Sequence, residues 1–343
     1  MASDGTREDE IGFGWKLGVF AGLAVLAVAW APFWGMDQIP FSALWGDVDD
    51  YAKVNVLWKL RIPRVLMAFL AGTSLATSGM VFQAMFRNPL ATPFTLGVSS
   101  GAALGAAVSI QFGWTFALLG LSSVSLSAFA GAVLSIALVY LMTARSRHGS
   151  STATMLLAGV AICFFFSSMI LFLQYMSDFT RSFRMLRWTM GGLEAIVQFR
   201  DVWGVFPFVV SGCLIVWYLL HELNLLTTGE EFAFSRGVNV NQTKLLLFLS
   251  VSLMVGAVVA VCGPIGFVGL MAPHICRLMV GPDHRRLYPA TLLFGGAFLV
   301  ICDTAARIVM APTELPVGII TALLGGPFFL WLLLARRQDF GTV

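Results

Sequence analysis

The chain has 343 residues, and its composition indicates a membrane protein. Hydrophobic residues occupy 58% of the positions and charged residues only 11%, and the mean hydropathy is +0.85, whereas soluble domains contain about 45–50% apolar residues. The net charge of +3 is small and the basic residues are scattered, which argues against nucleic-acid binding. We therefore treat the chain as one membrane domain.

Ten apolar runs, bounded by charges, prolines and glycines, follow one another along the sequence: 16–35, 62–86, 93–112, 115–142, 153–175, 202–221, 244–263, 265–281, 288–311 and 317–335. About 20 apolar residues cross the hydrocarbon core, and their backbone groups must be paired within the segment. Because strand-like alternation is weak, the sequence predicts an all-α polytopic membrane protein with about ten transmembrane helices. Both termini are placed in the cytoplasm on a weak excess of Lys and Arg in the inner loops.

The two ends of the chain differ from the apolar interior. Residues 1–15 include an acidic stretch and lack the positively charged region of a cleaved signal peptide, so the first run is expected to remain as a span. We predict a cytoplasmic tail over 1–15, a transmembrane domain over 16–337 and a short tail over 338–343.

Small residues indicate where helices approach closely. Gly97, Gly101 and Gly105 form two overlapping GxxxG steps on the third span. A second pattern of small residues in GTSLATSG (72–79) recurs 184 positions later in GAVVAVCG (256–263). Repeated halves are common in transporters, but chance agreement between Gly- and Ala-rich helices explains the recurrence equally well.

Catalytic and nucleotide-binding motifs are missing from the sequence. It contains no HExxH or GxxxxGK[ST] pattern, and its single GxSxG match, GVSSG (97–101), lies inside an apolar run predicted to be helical instead of at a strand-to-helix turn. The four histidines are isolated, so we predict no enzyme activity and no metal site. Asp303 and Arg307 lie four residues apart, on one face of a helix. Either they neutralise each other at membrane depth, or Arg307 reaches the outer surface.

Three polar or irregular stretches interrupt the apolar runs. Basic residues before the second span, Arg61 and Arg64 among them, lie on the predicted outer side, where they either bind an acidic partner or anchor the helix at the interface. The segment FRNPLATPF, with two prolines, predicts either a gate or a tight turn. The third stretch, TTGEEFAFSRGVNVN (227–241), is a polar island bounded by glycines.

Several long motifs in order resemble the FecCD/BtuC family, the permease subunits of type II ABC importers for ferric siderophores, haem and cobalamin. They are RIPR (61–64), GTSLATSG (72–79), RNPLATPFTLGVSSGAALGA (87–106), TATMLLAGVAI (152–162), RWTMGGL (187–193), GEEFAFSRGVNV (229–240), GPIGFVGLMAPHICRL (263–278) and ELPVGIITALLGGPFFLWLL (314–333). The resemblance runs from about residue 56 to the C-terminus.

The resemblance implies roles for three sets of residues. An ATPase-coupling segment of two short cytoplasmic helices, within about 227–241, would use Gly229, Glu230, Glu231, Arg236 and Gly237. A site that docks a substrate-binding protein would use Arg61, Arg64 and Arg307. A cytoplasmic gate would use Asn88, Leu90, Ser151 and Thr152. Ala153 stands where the cobalamin member has a hydroxyl residue, which leaves the details of the gate open.

The resemblance also implies how such a protein works. It would be a homodimeric permease of the bacterial inner membrane, with two cytoplasmic ABC ATPase subunits and a periplasmic or lipid-anchored binding protein, importing a metal chelate by alternating access. Ferric siderophore or haem is the first expectation for the cargo and cobalamin the next. ATP and Mg²⁺ would bind the ATPase, with no cofactor in this chain. The alternative is a secondary transporter of a bulky solute driven by an ion gradient, for which Asp303 is the candidate mid-membrane acid.

Overall fold

The fold is known from a computed structural model that describes residues 2–35, 38–45, 51–118, 121–144, 152–193 and 198–339. Within these ranges the chain is helical apart from short connections and one small antiparallel hairpin, in which Ala117–Leu118 pairs with Leu121–Ser122. The prediction of an all-α protein is confirmed.

Fourteen helices are described. Their bounds are α1 Ala2–Trp30, α2 Tyr51–Val56, α3 Ile62–Met85, α4 Val98–Phe112, α5 Ser123–Ala144, α6 Thr152–Met176, α7 Phe179–Thr189, α8 Phe199–Tyr218, α9 Leu220–Thr228, α10 Glu230–Ser235, α11 Val240–Cys262, α12 Val268–Val280, α13 His284–Ile308 and α14 Val317–Asp339. Three 3-10 turns (Ala31–Phe33, Phe41–Trp45 and Pro93–Leu96) and a π-helical turn at Leu57–Arg61 complete the described helical structure.

Seven membrane-spanning candidates and three shorter apolar helices correspond to the ten predicted runs, but the fourth run, 115–142, begins eight residues before α5, in the segment that forms the small hairpin. Seven helices, α1, α3, α5, α6, α8, α11 and α13, are long and apolar enough to cross a membrane, and α4, α12 and α14 supply three shorter apolar stretches. At a rise of about 1.5 Å per residue, the 15 residues of α4 cover only about 22 Å of a hydrocarbon core roughly 30 Å thick. The irregular segment that precedes α4 must therefore supply part of that crossing.

The third predicted span is not one continuous helix, because α4 starts at Val98 while the apolar run starts at residue 93. Pro93 begins a 3-10 turn capped by Thr92, and Gly97 then takes a left-handed conformation with φ 81° before α4 starts. A proline fixes its own φ and pushes the preceding residue out of helical geometry, which explains why the apolar run is not one helix.

The centre of the fold is formed by α3 and α11. In the most apolar stretches of these helices, 83% and 72% of the residues are buried, compared with 11% for α1 and 22% for α6. The helices α1 and α6 therefore present most of their apolar surface outward, where lipid or another chain can cover it.

Close helix packing occurs where the glycine steps predict it. A Cβ atom on Gly101 would collide with the carbonyl group of Gly131, and one on Gly105 with that of Ser127, so α4 and α5 touch through their backbones. The packing role is confirmed at these two positions.

The repeated small-residue pattern corresponds to reciprocal packing. Gly72 on α3 lies against Gly295 of α13, and Gly256 on α11 lies against Ala132 of α5. If α3 to α6 form one set and α11 to α14 the other, the first helix of each set packs against the third helix of the other. This arrangement supports the interpretation as an internal repeat.

Candidate coupling, docking and gate sites

A cluster of charged residues joins α3 to α13 at the predicted outer end. Arg64, in the first turn of α3, makes a bidentate interaction with Asp303, and its Nη2 lies 3.0 Å from Asp303 Oδ1. Arg307 Nε lies 3.3 Å from the other carboxylate oxygen of Asp303, one helical turn away. Arg64 Nη1 also donates to Glu314 Oε2 at 2.6 Å. Asp303 thus bridges two arginines, which confirms that it pairs with Arg307.

The three arginines predicted to dock a binding protein differ in how far their side chains are exposed. The side chains of Asp303 and Arg307 are 1% and 4% exposed, and that of Arg64 is 12% exposed. Arg307 Nη2 donates to the carbonyl of Ala31, and Arg61 Nη1 donates to the neighbouring carbonyl of Pro32. The three predicted residues therefore converge on one place, but Arg307 lies beneath the surface while Arg61 is only half-buried.

The polar island over 227–241 contains the end of α9 and the short helix α10, which are joined at Gly229, and Gly237 follows α10. The prediction of two short helices within 227–241 is therefore right for α10 only, because α9 begins at Leu220. Gly229 has φ 138° and Gly237 has φ 86°, conformations that residues with a side chain rarely adopt. Ala233 and Val238 are buried and hold the segment on the rest of the protein. The glycines thus allow a compact double bend in a few residues.

One face of this coupling segment is exposed. Phe232 and Phe234 are 44% and 74% exposed, Glu231 and Arg236 are exposed beside them, and the Arg236 guanidinium lies 5.2 Å from the centre of the Phe232 ring. Exposed aromatic and Arg side chains are enriched at protein interfaces.

Glu230 differs from the other predicted coupling residues. Its carboxylate accepts a hydrogen bond of 2.6 Å from Lys244 Nζ, and Lys244, in the second turn of α11, is only 4% exposed. Glu230 therefore ties α10 to α11, because a buried ammonium group needs a charged partner.

A second tie links α9 to the start of α13. Asn224 Nδ2 donates to Asp283 Oδ1 at 2.7 Å, and Asn224 Oδ1 accepts from the His284 backbone N–H at 3.0 Å. Asp283 is the N-cap of α13 and also accepts from the Arg285 N–H. Partial burial favours a higher pKa for Asp283, but the hydrogen bonds from the Arg285 N–H and from Asn224 outweigh it and lower this pKa.

The predicted gate residues are only partly described. Asn88 Oδ1 accepts from the Leu90 N–H at 2.9 Å, a local turn that leaves Leu90 58% exposed. Ser151 lies outside the described residues, and Thr152 begins α6 with its side chain outside the description. The structure therefore places the first pair in an exposed turn after α3.

A cavity of about 220 Å³ lies between two irregular segments, the one before α4 and the one before α12. Its walls include Pro93 and Phe94 from the first and Gly266 and Phe267 from the second. Phe267 has φ 67°, which is unusual for a bulky residue and costs of the order of 1–3 kcal/mol. The surroundings of the cavity hold this strained backbone in place.

Comparison with known proteins identifies the chain at the level of its family. The profile of the FecCD transport family matches residues 23–335. This chain belongs to the FecCD transport family. The FecCD permease is a multi-pass protein of the inner membrane and the permease subunit of an ABC importer, as the motifs predicted.

Individual relatives of this FecCD permease cover most of its length. It is 40% identical over 318 residues to the hemin transport system permease protein HmuU of Yersinia pestis, covering 92% of this chain and 94% of that one. It is 44% identical over 291 residues to the cobalamin import system permease protein BtuC of Halobacterium salinarum, covering 84% and 76%.

A solved structure of similar fold is described as an inward-facing conformation of a metal-chelate type ABC transporter. It superposes with a TM-score of 0.81 at 32% sequence identity and covers 93% of the FecCD permease and 98% of its own chain. Its resemblance to the described helices agrees with the permease fold deduced above.

Two features of the FecCD permease were missed from the sequence. Glu314 belongs to a recognised motif, yet its acidic side chain beside an apolar run was given no partner. The tie between Asn224 and Asp283 joins residues 59 positions apart, and no local spacing predicts it. The sequence indicates only that Asn224 and Asp283 are polar residues that follow apolar runs.

Proposed function

We propose that this permease imports a metal chelate, with haem or a ferric siderophore as the first expectation and cobalamin next. The observation that carries the proposal is the 40% identity to the hemin permease along 92% of the chain. The cobalamin permease is 44% identical over a smaller share of this chain, 84%, which supports cobalamin as the second expectation for the cargo. All three cargoes are bulky chelates, so one wide path between helices suits them.

The path lies between two copies of the chain. In support, α6 exposes large apolar side chains along much of its length, including Leu157 and Phe164, each 72% exposed, and Phe172, 63% exposed. A face this apolar is covered by lipid at its edges and by a second copy around the path. The homodimer then carries two coupling segments, one for each ATPase subunit.

The coupling segment binds the ATPase through its exposed face. Glu231, Phe232 and Arg236 contact the ATPase subunit, Glu230 holds α10 to α11 through Lys244, and Gly229 and Gly237 set the bend. The segment moves as a rigid piece when the ATPase dimer closes on ATP. ATP and Mg²⁺ belong to that partner, and this chain performs no catalysis and holds no cofactor.

The outer arginines receive the periplasmic or lipid-anchored binding protein. Arg61, which is half-buried, is the most accessible of the three and pairs with a carboxylate of that protein, since Arg suits bidentate recognition of carboxylates. Arg64 is 12% exposed and already bound to Asp303 and Glu314, so it contributes positive charge beside Arg61. Arg307 acts from below: it shares Asp303 with Arg64 and so helps to set the direction of the Arg64 side chain. Complementary charge at this site speeds encounter of the two proteins.

At the inner end the path is closed by Asn88 and Leu90 from the turn after α3 and by Ser151 and Thr152 before the fifth span. The exposure of Leu90 and the irregular backbone around it support a gate there. Around the membrane domain of residues 16–337, residues 1–15 and 338–343 form cytoplasmic tails.

Parallel uptake assays, with a small unchelated solute as the control cargo, test the proposed substrate class. The permease, reconstituted into liposomes with its ATPase and binding protein, is supplied with hemin, a ferric siderophore or cyanocobalamin, each at the same concentration. We expect ATP-dependent accumulation of one of these chelates and little of the others. Accumulation of a small unchelated solute in preference to all three would contradict the proposal.

A further inference from the structure

One helix connects the predicted inner and outer sites of the permease. Helix α13 has 25 residues, which gives a length of about 37 Å at a rise of about 1.5 Å per residue. Its first turn contacts α9 beside the coupling segment, and its last turns contain Asp303 and Arg307. Pro289 interrupts the hydrogen bonding in the second turn, and beyond it the helix continues to Ile308.

At the inner end of α13, both the nitrogen and the oxygen of the Asn224 side-chain amide form hydrogen bonds with the start of the helix. Asn224 Nδ2 donates to Asp283 Oδ1 at 2.7 Å. Its Oδ1 accepts from the His284 backbone N–H at 3.0 Å and lies 2.6 Å from His284 Nδ1, which donates in the tautomer that carries its proton there. His284 is 4% exposed, so this contact is sheltered from water.

A second interaction joins the same two elements. Arg285 Nη2 lies 3.3 Å from His221 Nδ1, one helical turn before Asn224 on α9. Because Pro289 removes a helical hydrogen bond between the first turn of α13 and the rest, contacts with α9 contribute to fixing the direction of that first turn. Asn224 supplies the shortest of these contacts.

At the outer end, polar contacts also join α13 to neighbouring elements. Asp303 joins α13 to Arg64 on α3, and Arg307 joins it to the backbone of Ala31. A displacement of the first turn of α13 therefore reaches the groups that surround Arg64, through one helix and its two sets of polar contacts.

We infer that Asn224 is a positioning residue that couples the ATPase-binding segment to the outer arginine cluster through α13. The inference rests on the proposed coupling role of the segment over 227–241. Coupling between two binding sites is reciprocal: if ATP-driven closure changes the outer cluster, docking of the binding protein there must favour the closed ATPase in return. Because the closed dimer is the state that hydrolyses ATP, a shift towards it also raises the rate of hydrolysis, and stimulation by the binding protein is the kinetic readout of this link.

The substitution Asn224→Asp tests the link because it replaces only the side-chain NH2 group by a carboxylate oxygen. It retains an oxygen for the His284 N–H but places a second carboxylate against Asp283, which is ionised at neutral pH, and like charges at this distance repel. In the assembled complex we expect unchanged basal ATP hydrolysis, and a loss of about fivefold or more in binding-protein stimulation and in uptake.

The double variant Asn224→Asp with Asp283→Asn is the matched control. It exchanges donor and acceptor, so that the new amide at position 283 donates to the new carboxylate at 224, and Asn remains a good N-cap for α13. We expect it to recover most of the stimulation and uptake. A merely structural requirement for an uncharged residue at 224 would not be relieved by a change at position 283.

Thermal stability and copurification of the ATPase are measured for each variant. If Asn224→Asp does not assemble, Asn224→Ala, which removes the tie without adding charge, takes its place, with the same expected loss of stimulation. Full stimulation and uptake in whichever of these variants assembles, or no recovery in an assembled double variant, would overturn the inference.

The variant Glu231→Lys, on the exposed face of the coupling segment, distinguishes a failure of the link through Asn224 from a failure of the proposed coupling role. If Glu231→Lys disrupts ATPase binding while Asn224→Asp transports normally, the proposed coupling segment stands and the link through Asn224 is wrong. If both variants transport normally, the coupling role itself is wrong, and the inference fails with it.

Discussion

Arg64 and Asp303 are 239 residues apart in the sequence, and their side chains form a nearly buried ion pair with Nη2 and Oδ1 3.0 Å apart. The pair closes α3 against α13, and Arg307 shares the same carboxylate. An acid deep in a span is a feature of ion-coupled carriers, but here its charge is balanced by two arginines. Asp303 is therefore better suited to hold helices together than to carry an ion.

Loss of Asp303 should destabilise the permease strongly. Asp303→Asn leaves Arg64 and Arg307 without their shared charged partner, and breaking a buried ion pair costs about 3–5 kcal/mol. Glu314→Gln is the control, because Glu314 is 42% exposed and such a pair contributes about 0–1 kcal/mol. Thermal unfolding of the detergent-purified protein should show a clearly lower midpoint for Asp303→Asn alone. Equal midpoints for the two variants would show that Asp303 is not the central partner.

Reversal of the charge at Arg61 should weaken capture of the binding protein. Arg61 avoids the complication at Arg64, where a glutamate would also face buried Asp303. Arg61→Glu should raise the dissociation constant more than Arg61→Gln at low salt, and the difference should shrink near 0.5 M salt because ions screen a half-buried charge that still contacts solvent. Titration of immobilised permease with binding protein at two ionic strengths measures this. Identical affinities of wild type and Arg61→Glu at low salt would remove Arg61 from the docking site.

The two acids of the coupling segment should differ in their effects. Glu231→Lys changes an exposed side chain, so it should reduce ATPase binding and uptake while the unfolding midpoint stays close to wild type. Glu230→Gln removes the carboxylate that lies 2.6 Å from the ammonium group of buried Lys244, so it should lower the midpoint as well. Copurification of the ATPase, uptake and thermal unfolding are compared for both. Full uptake by Glu231→Lys would mean that this face is only a connecting loop.

The bend at Gly229 should tolerate no side chain. With φ 138° and ψ 149°, Gly229 occupies a backbone region that is essentially restricted to glycine, although the space around it is open. Gly229→Ala should therefore cost about 1–3 kcal/mol locally and reduce coupled ATP hydrolysis. Gly326→Ala is the control, because Gly326 lies within α14 and a Cβ there also meets open space. If both variants couple normally, the bend is not needed for coupling.

The sequence predicted those features that depend on local pattern. Continuous apolar runs predicted the regions of the seven spanning candidates and of the three shorter apolar helices, and the spacing of Gly101 and Gly105 predicted the contact of α4 with α5. It placed the start of the third helix five residues too early, because hydropathy does not distinguish a helix from the turn at Pro93–Leu96. A run of apolar residues indicates that a segment lies in lipid, but it does not show whether the backbone is helical throughout, which depends on the positions of proline and glycine.

Partners distant in sequence could not be predicted in the same way. The pairing of Asp303 with Arg307 follows from a spacing of four, but its pairing with Arg64 depends on how α3 and α13 pack. Lys244 reads as an ordinary interfacial residue until Glu230 is found 2.6 Å away. Tertiary contacts decide which charged residues are available to another protein, and they distinguish Arg61 from Arg307 within one predicted docking set.

The energy source is the most direct test of the account. Purified permease is reconstituted into liposomes with and without its ATPase and binding protein, and hemin, ferric siderophore and cyanocobalamin uptake is followed with ATP, without ATP, and with an imposed proton or sodium gradient. We predict uptake only when ATP, the ATPase and the binding protein are all present, independent of the gradient. Uptake by the permease alone on an ion gradient would contradict the central claim that this chain is a conduit driven by a separate ATPase.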